Sequence, residues 1–213
     1  MGTVDLFIPW GGPPAARDDR AHGLEIVVGW AYELWPDWYR EISHWHGCRA
    51  KTCNYAAAES SADVIVFIDA DSIVHPSQLD AAVAWVRENG GGCRAYTTYK
   101  RLSKVSSDDC RGWGDVFTGD VVWSQEGTVS HGAVAFDRQT FCAHGGYDPR
   151  FLYWYEDSSF DLINPTMPWG RIAGDLFHLW HEPQSVPDAD EALWTRYHRE
   201  PADQVRAEAG FPS

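Results

Sequence analysis

Residues Asp63-Val64-Ile65-Val66-Phe67-Ile68 form an unbroken β-branched and aromatic run that leads straight into Asp69-Ala70-Asp71. A run without polar alternation fits a parallel strand covered on both faces, because only a covered sheet keeps both sides of a strand from water. Such strands belong to α/β folds, and open α/β sheets bind ligands outside the carboxyl ends of their strands. The two carboxylates therefore stand where a ligand is expected, one residue apart, able to turn toward one divalent cation. The plainer alternative is a turn in which an aspartate bonds backbone amides. The same spelling recurs at Asp188-Ala189-Asp190, but there it follows Pro187 and opens a polar helix, so capping accounts for it.

The rest of the chain continues the alternation of strands and helices. Val4 to Pro9 reads as a short buried strand closed by the turn Gly11-Gly12-Pro13-Pro14. Arg20 to Leu34 reads as a helix, Tyr39 to Trp45 as a second strand, and Lys51 to Ser61 as a helix. After Pro76, Ser77 is the expected N-cap of a helix through Glu88 that Gly90-Gly91-Gly92 ends. Cys93 to Tyr99 reads as one strand, Gly132 to Phe136 as another, and Asp137 to Ala143 as a short helix. Residues 101–128 are polar and glycine-rich, a long loop expected to act as a lid carrying Trp113 and Trp123. The whole predicts one α/β domain over 1–213, its mainly parallel sheet flanked by helices, with the core in 4–183. A C-terminal helix over 188–213 carries no chemical signal.

Composition narrows the function. With 31 acidic against 17 basic residues the net charge is −14, so the basic footprint of a nucleic-acid binder is missing, although a local patch stays open. No apolar stretch approaches the ~20 residues of a membrane span, and Met1 to Asp5 lacks the features of a leader, so a cytoplasmic protein is expected. The five cysteines are odd in number and show no CxxC spacing, which favours reduced thiols over a zinc site or disulfide framework. The 12 tryptophans serve either core packing or aromatic platforms for sugar rings.

Two further segments carry chemistry. In Gly145-Gly146-Tyr147-Asp148-Pro149-Arg150-Phe151-Leu152-Tyr153-Trp154-Tyr155-Glu156-Asp157 an acidic pair follows an aromatic run. Asp157 is either a helix N-cap with Glu156 as a neighbouring charge, or one of the two is a general base whose pKa its surroundings set. In His178-Leu179-Trp180-His181-Glu182-Pro183 two histidines lie three apart, as packed rings or as metal ligands.

Taken together, the strand-borne DxD, the GGYD…ED block and the HxxHEP block resemble the GT-A glycosyltransferases. The resemblance is strongest to the large inverting family-two group and its chondroitin-polymerising and galactosaminyl-transferring relatives. Phe7-Ile8-Pro9 and Cys48-Arg49-Ala50-Lys51-Thr52-Cys53-Asn54 resemble that family's first strand and its basic helix, so the likeness spans about residues 4–183. It implies donor-metal contact by Asp69 and Asp71, with Asp71 the direct ligand, and His181 before Glu-Pro as the late metal ligand in preference to His178. It implies Asp157 as catalytic base with Glu156 beside it, and Pro9, Lys51 and Asn54 around the nucleotide. The implied cofactor is Mn²⁺ or Mg²⁺, and the implied donor a nucleotide-sugar, a UDP-sugar first. One departure is that the family's acidic, base-gripping segment has no counterpart; Ile42-Ser43-His44 stands there instead.

The implied reaction is an inverting, metal-dependent transfer from a nucleoside-diphosphate sugar to a hydroxyl on a sugar, a protein or a modified DNA base. Short chains of this kind also resemble transferases encoded by bacteriophages, which would place the protein in the host cytoplasm. Two other classes compete. A nucleotidyltransferase would need a flexible glycine-rich loop where Gly11-Gly12-Pro13-Pro14-Ala15-Ala16-Arg17 is stiffened by two prolines. A non-catalytic carbohydrate-binding module would explain the tryptophans but not the acidic pairs.

Overall fold

The computed structural model describes residues 2–10, 17–40, 47–127, 130–183, 185–208 and 210. Strand β3 (Val64–Ile68) is buried at every position. Val64, Val66 and Ile68 enter one core, while Ile65 and Phe67 enter the other. A strand whose alternate side chains feed two cores has no solvated face, and this is why the run lacks polar alternation. Its neighbours are β1 (Val4–Phe7), parallel, and β8 (Ala133–Asp137), antiparallel.

With β2 (Tyr39–Arg40), β5 (Gly92–Arg94) and β9 (Trp169–Arg171) these strands make a six-stranded sheet in the order β2-β1-β3-β8-β5-β9. Only β8 runs against the rest, so the sheet is mainly parallel, as expected. Helices α1 (Arg17–Leu34) and α3 (Pro76–Asn89) supply Ile26, Val27, Trp30, Leu79 and Val83 to the first core. The second core is aromatic. Phe67, Phe136, Phe141, Tyr147 and Phe160 gather there, with α2 (Arg49–Glu59), α5 (Arg138–Ala143) and α6 (Glu156–Ile163) around them. A second, four-stranded sheet has the order β4-β10-β6-β7, from β4 (Ser72–Val74), β10 (Asp175–His178), β6 (Thr98–Leu102) and β7 (Val121–Glu126).

The structure differs from the sequence pattern at several places. Helix α3 is capped by His75, not Ser77. The His75 ring accepts from the Ser77 amide, and Gln78 reaches back to the His75 amide. Pro76 is the reason: its missing N–H and fixed φ suit the first helical position, which moves the cap two residues back from Ser77 to His75. Cys93 to Tyr99 is not one strand. The chain leaves the first sheet after Arg94 and joins the second at Thr98, a change of sheet that side-chain periodicity cannot register.

Residues 101–127 are not a loose lid. They fold into α4 (Lys104–Asp109), a 3₁₀ turn at Trp113–Thr118, and β7, which pairs antiparallel with β6 from Thr98↔Glu126 to Leu102↔Val121. Every side chain of β7 is exposed, which is why its sequence reads as loop. The Trp113 indole N–H donates to Glu33 Oε2 at 3.0 Å, on α1. The turn at Gly11 to Ala16, the end of the second strand at 41–46 with Ile42 to His44, and Thr128 lie outside the described residues. The five cysteines are free thiols, four of them buried. No described helix is long and apolar enough to cross a membrane.

The single C-terminal helix expected over 188–213 is instead two helices, α7 (Asp188–Arg199) and α8 (Ala202–Ala207), because Glu200 is extended ahead of Pro201, which has no N–H to continue a helix. The second D-A-D triplet does not cap its own helix through Asp190, for Pro187 is the N-cap and Asp188 is exposed. Asp190 is fully buried and accepts the backbone N–H groups of Leu152, Tyr153 and Trp154 at 2.9, 3.0 and 3.1 Å. Asp190→Ala leaves three amides without their acceptor. A loss of about 2–4 kcal/mol is expected, a fall in Tm of roughly 5–15 °C for a chain of this size. Asp188→Ala should stay within about 0.5 kcal/mol. Equal, small shifts of the two melting points would contradict this assignment.

Candidate active site

The chain passes from one sheet to the other through Asp69-Ala70-Asp71. The Asp69 amide bonds Gly132 O at 2.9 Å on the β8 side, and the next residue after the triplet, Ser72, begins β4. β10 returns antiparallel to β4 with His178 opposite Ser72, and the Leu179 amide bonds Asp71 O at 2.7 Å. This brings both histidines of the HxxHEP block to Asp71. His178 Nε2 lies 3.4 Å from Asp71 Oδ1 and His181 Nε2 lies 3.4 Å from Asp71 Oδ2.

The three groups suit a divalent ion. One ligand atom from each lies within 4.8 Å of the others. Two ligands that each sit about 2.1 Å from a common ion are about 3–3.5 Å apart, which matches the 3.4 Å from Asp71 to each histidine. The His181 ring adds a chemical argument. Its Nδ1 lies 2.8 Å from Glu182 O, and a carbonyl can only accept, so Nδ1 carries the hydrogen and Nε2 presents a lone pair to the carboxylate. Two acceptors facing each other need a positive charge between them, a proton or a metal. The preference for His181 over His178 that the sequence motif suggests is thus widened, since the structure brings both to Asp71.

Asp69 is drawn elsewhere. Its Oδ1 accepts from Arg49 Nε at 2.8 Å, and it is not among the three clustered ligands. The same guanidinium bonds Glu156 Oε1 at 3.0 Å and His131 O at 3.3 Å, and sits 5.5 Å from the Tyr147 ring centroid. The motif on α2 points to Lys51 and Asn54, whereas the structure gives the central place to Arg49. Lys51 is exposed, and neither it nor Asn54 lines the cleft that holds Asp69 and Asp71. The Asn54 amide donates to Tyr147 O at 2.8 Å and accepts the Tyr147 N–H at 2.9 Å, so it fastens the GGYD block to α2. That approach requires Gly146, where φ is +70° and an added Cβ would stand 2.3 Å from Asn54 Oδ1. Arg49 does carry a local signal: it stands in the first turn of α2, the end where the helix dipole disfavours a cation, with no acidic neighbour there.

Glu156 and Asp157 open α6 and have opposite electrostatic fates. Burial pushes the Glu156 carboxyl up to about 8; Arg49 opposes the rise and Asp157 adds to it. Burial would raise Asp157 too, but His131, Arg49 and two backbone N–H donors outweigh it and hold its pKa below the usual value. Those donors are the His131 amide at 3.0 Å and the Ser158 amide at 2.6 Å. Burial also depresses the His131 imidazole, so near neutral pH the amides and Arg49 carry most of this effect. Asp157 is therefore an ionised carboxylate, and Glu156 holds its proton toward neutral pH.

His131, which no sequence motif marks, is fully buried. Its Nδ1 meets Tyr147 Oη at 2.8 Å, and its Nε2 faces Asp161 Oδ1 at 3.0 Å and Arg94 at 3.1 Å. Arg94 is itself paired with Asp161. The members of this network come from β5, the segment before β8, the loop between α5 and α6, and α6 itself, so only the assembled fold brings them together.

Arg49, both aspartates of the triplet, the acidic pair and the two histidines face one cleft of about 690 Å³, within the size range of small-ligand sites, while the His131 network lies behind it. Pro9, Asp69, Asp71, Glu156, Asp157, His178 and His181 line it together. So do Trp10, Trp123, Tyr153, Trp154 and Trp180, whereas Trp30 and Trp35 belong to the core. Across β6 and β10, Arg101 pairs in register with His178, and its guanidinium lies 5.1 Å from the Trp123 ring centroid. Among the described residues Arg101 makes no ion pair.

No family model and no curated protein matches the sequence. Among solved structures, the chain is similar to a mutant of Drosophila β1,4-galactosyltransferase 7 in complex with manganese, UDP-Gal and xylobiose. The TM-score is 0.53 at 16% identity, over 95% of this chain and 84% of that one. The likeness establishes the fold: a GT-A-type α/β architecture.

The raised Glu156 pKa couples stability to pH. In the unfolded chain this group ionises near 4.5, and in the fold near 8. Its protonated form is the one the fold accepts, so its contribution is complete below pH 4.5 and is lost as pH rises through 8. Glu156→Gln should leave Tm nearly unchanged at pH 4.5 and raise it relative to the parent at pH 8.5. A variant that melts lower than the parent at pH 8.5 would show that the ionised pair with Arg49 stabilises the fold.

Proposed function

We propose that this protein is a metal-dependent, inverting glycosyltransferase that moves a sugar from a nucleoside-diphosphate donor to an acceptor hydroxyl. One observation carries the reading: on a GT-A fold, the Asp71–His178–His181 cluster and the electrostatically divided pair Glu156–Asp157 line the same cleft. Mn²⁺ is the first cofactor and a UDP-sugar the first donor to test, since the similar galactosyltransferase structure holds manganese and UDP-Gal.

Asp71, His178 and His181 would hold the ion, which supplies charge neutralisation to the departing diphosphate as a Lewis acid. Arg101, beside His178 and without an ion pair among the described residues, adds a second positive charge for the diphosphate. Pro9 and Trp10 at the end of β1 form the wall for the nucleoside. Asp157, ionised and half-buried, accepts the proton of the acceptor hydroxyl as it attacks the anomeric carbon opposite the leaving group. Glu156, when protonated, donates a hydrogen bond within the sugar pocket while Arg49 fixes its position. Tyr153, Trp154 and Trp123 offer apolar ring faces to a saccharide acceptor and exclude water from the reacting atoms. The xylobiose in the similar structure also supports a saccharide acceptor, and the net charge of −14 weighs against a polyanion such as DNA.

The test is release of nucleoside diphosphate from a panel of UDP-, GDP- and dTDP-sugars with Mn²⁺ and saccharide acceptors. Release that is fastest with a UDP-sugar and abolished by a chelator is expected. Sugar binding with no release from any donor would instead indicate a carbohydrate-binding module. In the same assay Asp157→Asn should lose transfer by about 10²–10⁴ with donor affinity nearly unchanged. Asparagine keeps much of the hydrogen bonding, so near-normal turnover would remove Asp157 from the chemistry.

A further inference from the structure

Helix α7, silent in the sequence, holds the segment that delivers the acidic pair. Asp190 accepts the amides of Leu152, Tyr153 and Trp154. Tyr197 donates to buried Asp148 at 2.7 Å and stacks on Phe151 with ring centroids 5.9 Å apart. Arg150 grips Asp148 and reaches Val205 O at 2.8 Å, which ties in α8. Trp194 stacks on Tyr155, 4.9 Å between centroids and 4° between planes, and the His198 ring stands edge-on to Trp194 at 4.2 Å.

Tyr155 is the one described non-glycine residue with positive φ, at φ 70° and ψ 0°, and it is the N-cap of α6. A bulky side chain is a genuine outlier there, and such a conformation persists only where its surroundings impose it. Glycine would take this backbone freely, but Tyr155 also lines the cleft, so the ring has a use that glycine lacks. The conformation also sets the direction in which α6 leaves the loop. Tyr155 O accepts the first helical hydrogen bond of α6, from the Ser159 amide at 2.8 Å. Two residues on, Asp157 Oδ2 meets the His131 amide at 3.0 Å.

We propose that α7 is a positioning clasp: Trp194 holds Tyr155 in its left-handed conformation, and that conformation sets Asp157 against the His131 amide in the cleft. The inference rests on the reading of Asp157 as the base. Trp194 touches no reacting atom, so it is a positioning residue. Relaxation of Tyr155 to an ordinary conformation would re-aim the first turn of α6, and a misplacement on the ångström scale is costly to transfer but not to donor binding.

The test joins native-state amide exchange, read by NMR, to turnover and donor affinity in five proteins. These are the parent, Trp194→Ala, Trp194→Phe, Tyr155→Gly and the double variant Trp194→Ala/Tyr155→Gly. Trp194→Ala should speed exchange of the His131 and Ser159 amides by about tenfold, the order of the left-handed penalty, while the β3 amides stay protected and report an intact fold. Turnover should fall about 10- to 100-fold with donor affinity unchanged. Trp194→Phe, which keeps a stacking ring, should behave like the parent. In the double variant the glycine adopts the conformation unaided, so protection of the His131 and Ser159 amides should return. Unchanged His131 exchange in Trp194→Ala, or no recovery on adding Tyr155→Gly, would overturn the clasp. The predicted exchange pattern in a protein that releases no nucleoside diphosphate would support the clasp and overturn the transferase reading alone.

Discussion

The guanidinium of Arg49 meets Asp69 at the end of β3, Glu156 at the start of α6 and the carbonyl of His131 before β8, and it lies by the Tyr147 ring. Four chain segments distant in sequence are thereby fixed around one charge. Burying a cation is unfavourable by itself, and here the Asp69 carboxylate, the Glu156 carboxyl and a carbonyl offset that cost in the fork geometry that suits arginine. Removing one partner of a buried ion pair such as Arg49–Asp69 typically costs about 3–5 kcal/mol, because the other charge is left buried and uncompensated. By engaging Asp69, Arg49 also separates the two aspartates of the triplet, leaving Asp71 to the histidines.

That separation gives the cleft its electrostatic logic. Asp69, Asp71, Glu156 and Asp157 line it, against Arg49 and Arg101 as its guanidinium groups. With Arg49 committed and Glu156 inclined to keep its proton, Asp71 and Asp157 remain as the acidic charges with distinct surroundings. Asp71 faces two imidazoles and calls for a cation; Asp157 is held ionised by amides and can receive a proton. Neighbouring titratable groups whose environments differ in this way are the usual mark of an acid–base site.

The parts of the fold that are legible in the sequence are those where a local pattern and the tertiary environment agree. β3 can be read because its two-sided burial is written into five successive residues, and the first D-A-D because it follows directly on that strand. The GGYD…ED block and the HxxHEP block are legible as motifs, but their geometry is not. Asn54 fastens Tyr147, and His178 is as close to Asp71 as His181 is. The hidden parts depend on pairing between distant segments. β7 is exposed along its length, and its Val121-Val122-Trp123 run followed by Ser124-Gln125-Glu126 shows no alternation that would mark a half-buried strand. His131, Arg94 and Asp161 meet only once the sheet is assembled. Asp190 resembles a cap in the sequence because its true partners are the amides of another loop.

The central claim is that Asp71, His178 and His181, without Asp69, form a metal site that engages a nucleoside diphosphate. Pulsed electron paramagnetic resonance of the protein with Mn²⁺ and UDP tests it most directly. The account predicts hyperfine coupling to two imidazole nitrogens, one lost in His178→Ala and the other in His181→Ala, together with coupling to phosphorus from UDP. Asp69→Asn should leave the nitrogen couplings in place. A Mn²⁺ signal with phosphorus coupling but no protein nitrogen, or no bound Mn²⁺ at all, would contradict the account.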